Sequence, residues 1–351
     1  MTLECVKWGE FVIGDLFTVE IGKSIDGDKV DKSAGKTPYI TRKESNNGLD
    51  GFIDYGAGYI NAKYPVITIG NETAEPFVQN FPFYTGTKVN ILTPKLPQSW
   101  QTLLFVAQSL KMHKGKYSYA FTINSTRLRK QVIQLPVDEA GQPDYAFMER
   151  FIYAHEHRLI RAYVEQVSVR LRNTPPQKLL SLNGVRWKGF RISDVFVISP
   201  GKRLRKEDMT AGDKPFIGAS DSNNGVTAFV SNSNSSEDRN ILGVNYNGSV
   251  VESFYHPYTC LFSDDVKRFR IRDHEGDKYI YEFLKTAILQ QKIKYTYGYK
   301  FNEQRMQRQI IMLPTTQDGL PDWQLIHNYM LAHESRLLSA VISHFTAKLH
   351  T

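Results

Sequence analysis

The sequence predicts an α+β protein: two similar, mixed, strand-rich modules joined by two long antiparallel helices of coiled-coil type, with pseudo-twofold symmetry. Three observations carry this. Residues 116–159 (KYSYAFTINSTRLRKQVIQLPVDEAGQPDYAFMERFIYAHEHRL) return as residues 294–337 at a constant offset of 178, with 17 identities in 44 gapless positions. So long a period marks a duplicated domain and not a solenoid. Each copy is preceded by alternating β-branched and aromatic residues with turn formers, and each closes on a long helical pattern. At 351 residues the chain is long enough for two cores.

The duplication begins near the first residue. Trp8, Phe11, Ile13, Asp15 and Phe17 recur as Trp187, Phe190, Ile192, Asp194 and Phe196, at an offset of 179. Small loop insertions account for the drift in offset, because lengthening a surface loop costs little. Ser45-Asn46-Asn47-Gly48 recurs as Ser222-Asn223-Asn224-Gly225. Asn-Gly between strand-like runs signals a hairpin turn, since its central residues must take positive φ. Residues 64–70 and 241–246 read as core strands, and residues 99–110 and 279–293 show helical periodicity.

After Leu135-Pro136 and Leu313-Pro314 comes a Gly-containing turn, then Pro-Asp and a long helix. Asp144 and Asp322 are the expected N-caps, offering side-chain oxygens to the free amides of the first turn. The first helix is expected over residues 144–171, with Asn173-Thr174-Pro175-Pro176 as its stop. The second runs from 322 to near the end of the sequence. Their narrow apolar stripes include Phe151 and Leu159 in one, Tyr329 and Leu337 in the other, which suits a coiled-coil seam. His155 and His333 sit beside these stripes and are assigned to the seam or to a subunit contact.

Several function classes are disfavoured. There is no Gly-rich phosphate loop and no Gly-x-Ser-x-Gly elbow. The repeated Ala-His-Glu lacks a second histidine four residues on, so it is no zinc motif. No acid–base pair or nucleophile constellation can be placed, and no metal site is expected. Two isolated cysteines, no signal-peptide pattern and no apolar run of bilayer length read as a reduced, soluble, cytoplasmic protein without membrane contact.

The formal net charge of +8 favours a polyanionic partner. Residues 111–130 carry Lys114, Lys116, Arg127 and Arg129 with no acidic residue, interleaved with Tyr117 and Tyr119. The second copy carries Lys294, Lys300 and Arg305 with Tyr295 and Tyr297. Cations neutralise phosphates while tyrosines stack or hydrogen-bond, so the mixture fits a nucleic-acid groove. The competing reading makes the tyrosines a sheet face that the lysines merely solvate. A further basic loop, Lys202, Arg203 and Arg205, has only Lys23 as its counterpart, so the two modules would touch nucleic acid differently.

This order of motifs, twice over and across nearly the whole chain, resembles the specificity subunits of type I restriction–modification systems and of the related type IIB systems. The resemblance implies target recognition domains at residues 1–142 and 175–320, and spacer helices at 143–174 and 321–351. It also implies a chain with no catalysis or cofactor of its own, bound to double-stranded DNA. Its partners would be methyltransferase or fused restriction–methylation subunits, two per chain, with a separate restriction subunit in some systems. Those partners would use S-adenosylmethionine and Mg2+, and ATP in a type I system. A helix of about 28 residues is roughly 42 Å long, which suggests a gap on the order of 5–8 base pairs between half-sites. The alternatives are a stand-alone nucleic-acid-binding regulator and a carbohydrate-binding protein.

Overall fold

The computed structural model describes residues 2–118, 120–174, 180–296 and 298–349. It divides into two compact units, Met1–Tyr163 and Val164–Thr351, and the same sequence of elements appears in both.

The first module contains β1 (Trp8–Val12), α1 (Ile13–Leu16), β2 (Phe17–Ile21), β3 (Thr37–Ile40), β4 (Leu49–Ile53), β5 (Val66–Gly70), β6 (Pro76–Gln79), β7 (Tyr84–Thr85) and β8 (Val89–Pro94). There follow α2 (Trp100–Lys111), α3 (Ser125–Lys130), β9 (Val132–Pro136) and the long α4 (Tyr145–Arg172). The strands form a β1–β9 ribbon, a four-stranded sheet ordered β2-β8-β5-β6 and a three-stranded sheet ordered β4-β3-β7.

The second module repeats this. Its elements are β10 (Trp187–Arg191), α5 (Ile192–Val195), β11 (Phe196–Pro200), β12 (Ala211–Ile217), β13 (Val226–Val230), β14 (Ile241–Asn245), β15 (Ser253–His256), β16 (Leu261–Phe262), β17 (Val266–Ile271), α6 (Lys278–Leu289), α7 (Glu303–Arg308), β18 (Ile310–Pro314) and α8 (Trp323–Lys348). The sheet orders are β10-β18, β11-β17-β14-β15 and β13-β12-β16, so the topology is duplicated strand for strand.

The local reasons are visible in the sequence. In β9 and β18 exposed and buried residues alternate, Ile133 and Leu135 facing inward as Ile311 and Leu313 do. β5 and β14 are buried along their whole length, as their unbroken apolar runs require. The Asn-Asn-Gly turns take positive φ, 54° at both Asn47 and Asn224, and join antiparallel pairs. α2 is capped by Ser99, whose Oγ accepts from the Thr102 amide at 3.2 Å, and α6 by Asp277, which accepts from the Tyr279 and Ile280 amides.

Each long helix starts inside a module's core. Asp144 and Asp322 cap the helices as expected, accepting from the Phe147 and Leu325 amides at 2.8 and 2.9 Å. Met148 and its counterpart Ile326 are fully buried among the sheet and helix residues of their own modules. An aromatic relay then ties ribbon to helix: Trp8 stacks on Phe105, Phe105 meets Phe151 edge-on, and Phe151 lies against His155. Trp187, Phe283, Tyr329 and His333 repeat it contact for contact.

The expected seam is corrected at two positions. Leu159 and Leu337, expected in the stripes, are 66% and 59% exposed. The buried positions of α4 beyond its first turn are Ile160 and Val167, seven residues apart, so the stripe is rotated by one residue. Pro175 and Pro176, the expected helix stop, lie outside the described residues, and α4 ends before them at Arg172.

Truncating Ile326 to Ala is expected to lower stability by about 2–4 kcal/mol, because it removes a fully buried side chain from the anchoring turn. Leu337→Ala should stay within about 0.5 kcal/mol. Urea unfolding of the purified chain, with and without each substitution, measures both.

Candidate nucleic-acid interface

The basic–aromatic stretch folds as a latch after a 3-10 turn, Lys114–Lys116, and contributes no strand among the described residues. Asn124 caps α3 by accepting from the Arg127 amide at 2.9 Å. That turn places the Arg127 guanidinium 4.0 Å over the Phe121 ring and lets Nη1 donate to the Thr122 carbonyl at 2.7 Å. Phe121 stacks on Tyr117 at 6.1 Å and 8°, and the Tyr117 hydroxyl donates to Gln131 Oε1 at 2.7 Å. Burial raises the Tyr117 pKa, so the phenol stays a donor. The second copy reproduces every contact. Arg305 lies 3.7 Å over Tyr299, Tyr299 stacks on Tyr295, and Tyr295 donates to Gln309 at 2.7 Å.

The expected contact residues therefore separate into groups. Tyr117, Tyr295, Arg127 and Arg305 are parts of the latch, and Arg129 donates to the Val19 carbonyl at 2.7 Å. Lys114 is held at 2.7 Å by the nearly buried Glu75 and also meets Glu44. Its counterpart Lys292 pairs with Glu252. Lys294 donates to Gln291 at 2.7 Å, and the Arg305 guanidinium accompanies its ring contact with a bond to the Lys300 carbonyl at 2.6 Å. Tyr119 and Tyr297 lie outside the described residues. Lys116, Tyr117 and Arg127 are brought together with Trp8, Phe121 and Val132 in a groove of about 940 Å³, whose floor is apolar.

The loops after β2 and β11 lie elsewhere on the modules. Lys23 donates to the Gly58 carbonyl. Arg203 and Arg205 line a cleft of about 670 Å³ together with Glu207, Phe216, Asp264 and Asp265. Lys202 anchors the loop through its amide, which donates to the Phe262 carbonyl at 2.8 Å.

The first module has a cleft of about 550 Å³ in the same place, beside Tyr39, the counterpart of Phe216. Its charged lining residues are Asp26, Asp28, Asp50 and Glu72 with Arg42 and Lys43. Arg42 Nη1 reaches Glu72 at 2.5 Å and Lys88 Nζ reaches it at 3.1 Å. Partial burial would raise the Glu72 carboxyl, but the paired Arg42 and Lys88 outweigh it and hold the pKa below the usual range. Sequence reasoning missed Arg42, Glu72, Lys88, Asn247 and Asp265. The signal was available in charge differences between aligned halves, but only strand registers fix that alignment.

No group of three or more His, Cys, Asp or Glu side chains among the described residues could hold a metal ion. No helix among them is long and apolar enough to cross a membrane. Cys5 and Cys260 are free thiols.

Two modules of one topology, alike in their cores and latches but differently charged in their clefts, define a two-headed recognition protein. The chain belongs to the family described as type I restriction modification DNA specificity domain, whose model matches residues 5–165 and again 184–340. It is 47% identical over 334 residues to the "Type II restriction enzyme BgcI specificity subunit S.BcgI" of Heyndrickxia coagulans, covering 95% of this chain and 96% of that relative. In fold it is similar to the S subunit of a type I restriction–modification system from M. genitalium, at a TM-score of 0.55 and 15% identity, over 100% of this chain and 94% of that one.

Two measurements test the latch and the second core. Tyr117→Phe removes one hydroxyl and should cost about 1 kcal/mol of stability, read as a lower unfolding midpoint. His256 is fully buried; burial, and then the charge of Lys285, lower its pKa to about 4. An unfolded histidine binds its proton near pH 6.5, so His256 adds stability above that pH, lost as pH falls toward 4. Replacing it with glutamine, which stands at the equivalent Gln79, should remove that part of the acid sensitivity in a pH series of melting curves.

Proposed function

We propose that this chain is the DNA-recognition subunit of a restriction–modification complex, with no catalysis or cofactor of its own. The observation that carries the reading is the 47% identity, over almost the full length of both chains, to a restriction-enzyme specificity subunit. The two copies of the specificity domain support the further reading that it recognises a site in two parts. On this reading residues 1–142 and 175–320 are the target recognition domains, and 143–174 and 321–351 are the spacers. Helices of 28 and 26 residues support a ruler role for the spacers, with a gap of roughly 5–8 base pairs between half-sites.

The partners are adenine-N6 methyltransferase subunits, free-standing or fused to a nuclease, two per chain, using S-adenosylmethionine and Mg2+. The kinship with a type II enzyme favours the type IIB arrangement over an ATP-driven type I motor with a separate restriction subunit. Lys23, Lys116, Lys202, Arg203, Arg205, Lys294 and Lys300 are the proposed DNA contacts from the basic loops, since sequence-independent affinity comes from phosphate neutralisation. Phe151, His155, Tyr329 and His333 hold each reader to its helix. Leu159 and Leu337, exposed on those helices, are proposed to meet the methylating partners.

Co-expression with the neighbouring methyltransferase, followed by methylome sequencing, should show a two-part motif with an unread gap; a continuous motif would sink the bipartite reading. In the same system Leu159→Asp and Leu337→Asp should weaken pulldown of the partner while leaving the chain's melting temperature within a few degrees. Undiminished pulldown with both changes would remove these leucines from the interface.

A further inference from the structure

A protein that reads two different half-sites with two copies of one module must differ between copies where bases are touched. The latch cannot carry that difference, because Tyr117, Arg127 and Gln131 are matched by Tyr295, Arg305 and Gln309 in identity and in contacts. The paired clefts have the same frame and different charged groups.

Strand registers fix the equivalence. Tyr39 faces Tyr84 as Phe216 faces Leu261, and Gly70 faces Val89 as Asn245 faces Val266. Two residues beyond the β5 and β14 ends stand Glu72 and Asn247. One residue before β8 and β17 stand Lys88 and Asp265. In the first module this wall holds two cations around one carboxylate, Arg42 and Lys88 on Glu72. In the second, Asn247 Nδ2 donates to Asp265 Oδ1 at 2.8 Å, and Ala219 replaces the arginine. The segment at the 3-10 turn differs too, although Asp28 and Glu207 keep an acid at one equivalent position. Asp26 precedes the 3-10 turn there in the first module, and Arg205 holds that position in the second.

We infer that this cleft is where each module distinguishes bases, with Arg42 and Asp265 as specificity-determining residues for the two half-sites. The inference rests on the specificity-subunit reading. Side-chain chemistry gives the direction: a guanidinium matches the O6 and N7 acceptors of guanine, and a carboxylate accepts from the N4 amine of cytosine. Ion pairing with Glu72 holds the Arg42 side chain in place before DNA arrives, leaving its other guanidinium N–H groups to donate. Because donor and acceptor groups differ at equivalent positions of the two modules, the same docking pose would select different base-edge patterns.

The test uses the full chain with its methylating partner and a randomised duplex DNA library, scoring which sequences become methylated. Arg42→Ala should reduce preference at a base pair of one half-site roughly 10- to 100-fold while the other half-site stays as strict as before. Asp265→Asn should do the reverse. Arg42→Lys, which keeps the charge and the pairing with Glu72 but loses the planar fork, should relax the same base pair. The untouched half-site reports that each variant is folded and assembled. Unchanged preference in all three variants would overturn the assignment. So would a loss uniform across all sequences with a salt slope shallower by about one, the signature of a phosphate contact. A wild-type complex with no sequence preference in the library would instead refute the specificity-subunit reading itself.

Discussion

The structure depends on the insertion of each long helix's first turn into the core of the module that precedes it. Asp144 and Asp322 satisfy the opening amides, and Met148 and Ile326 then fill their modules with no exposed surface. The relay from tryptophan through phenylalanine to the helix aromatic and histidine brings the amino-terminal ribbon onto the same turn. A reader anchored by core packing cannot swivel without opening a cavity, and close-packed interiors resist that. Rigidity between reading head and helix thus follows from ordinary apolar burial.

Against this common frame, the two modules separate what must be shared from what must differ. Core, caps and latch are the same in both, since each solves the same packing problem. The latch spends its cations on ring faces and carbonyls, so a basic–aromatic stretch that looks made for DNA is largely used within the module. The clefts beside Tyr39 and Phe216 are bounded by equivalent strands, and their charged groups differ. Side chains at strand ends can be exchanged without disturbing the sheet, which lets one fold accept different chemistries.

The sequence by itself determined the duplication, the α+β class, the Asn-Gly turns, both helix caps and both long helices. All of these are local or periodic: positive φ, capping oxygens and the spacing of apolar residues act within a few positions of the chain. It also determined the family, because the order of motifs survives in one dimension. Tertiary structure decided which cations are free. Lys114 and Glu75 are 39 residues apart in the chain, and Arg42 and Glu72 are 30 apart, yet each pair is in contact. The burial of Ile160 in place of Leu159 was likewise decided by helix rotation against neighbours, which a stripe several residues wide does not specify. Long-range pairing sets charge and exposure, and that is why the candidate clefts could be seen only once the strands were in register.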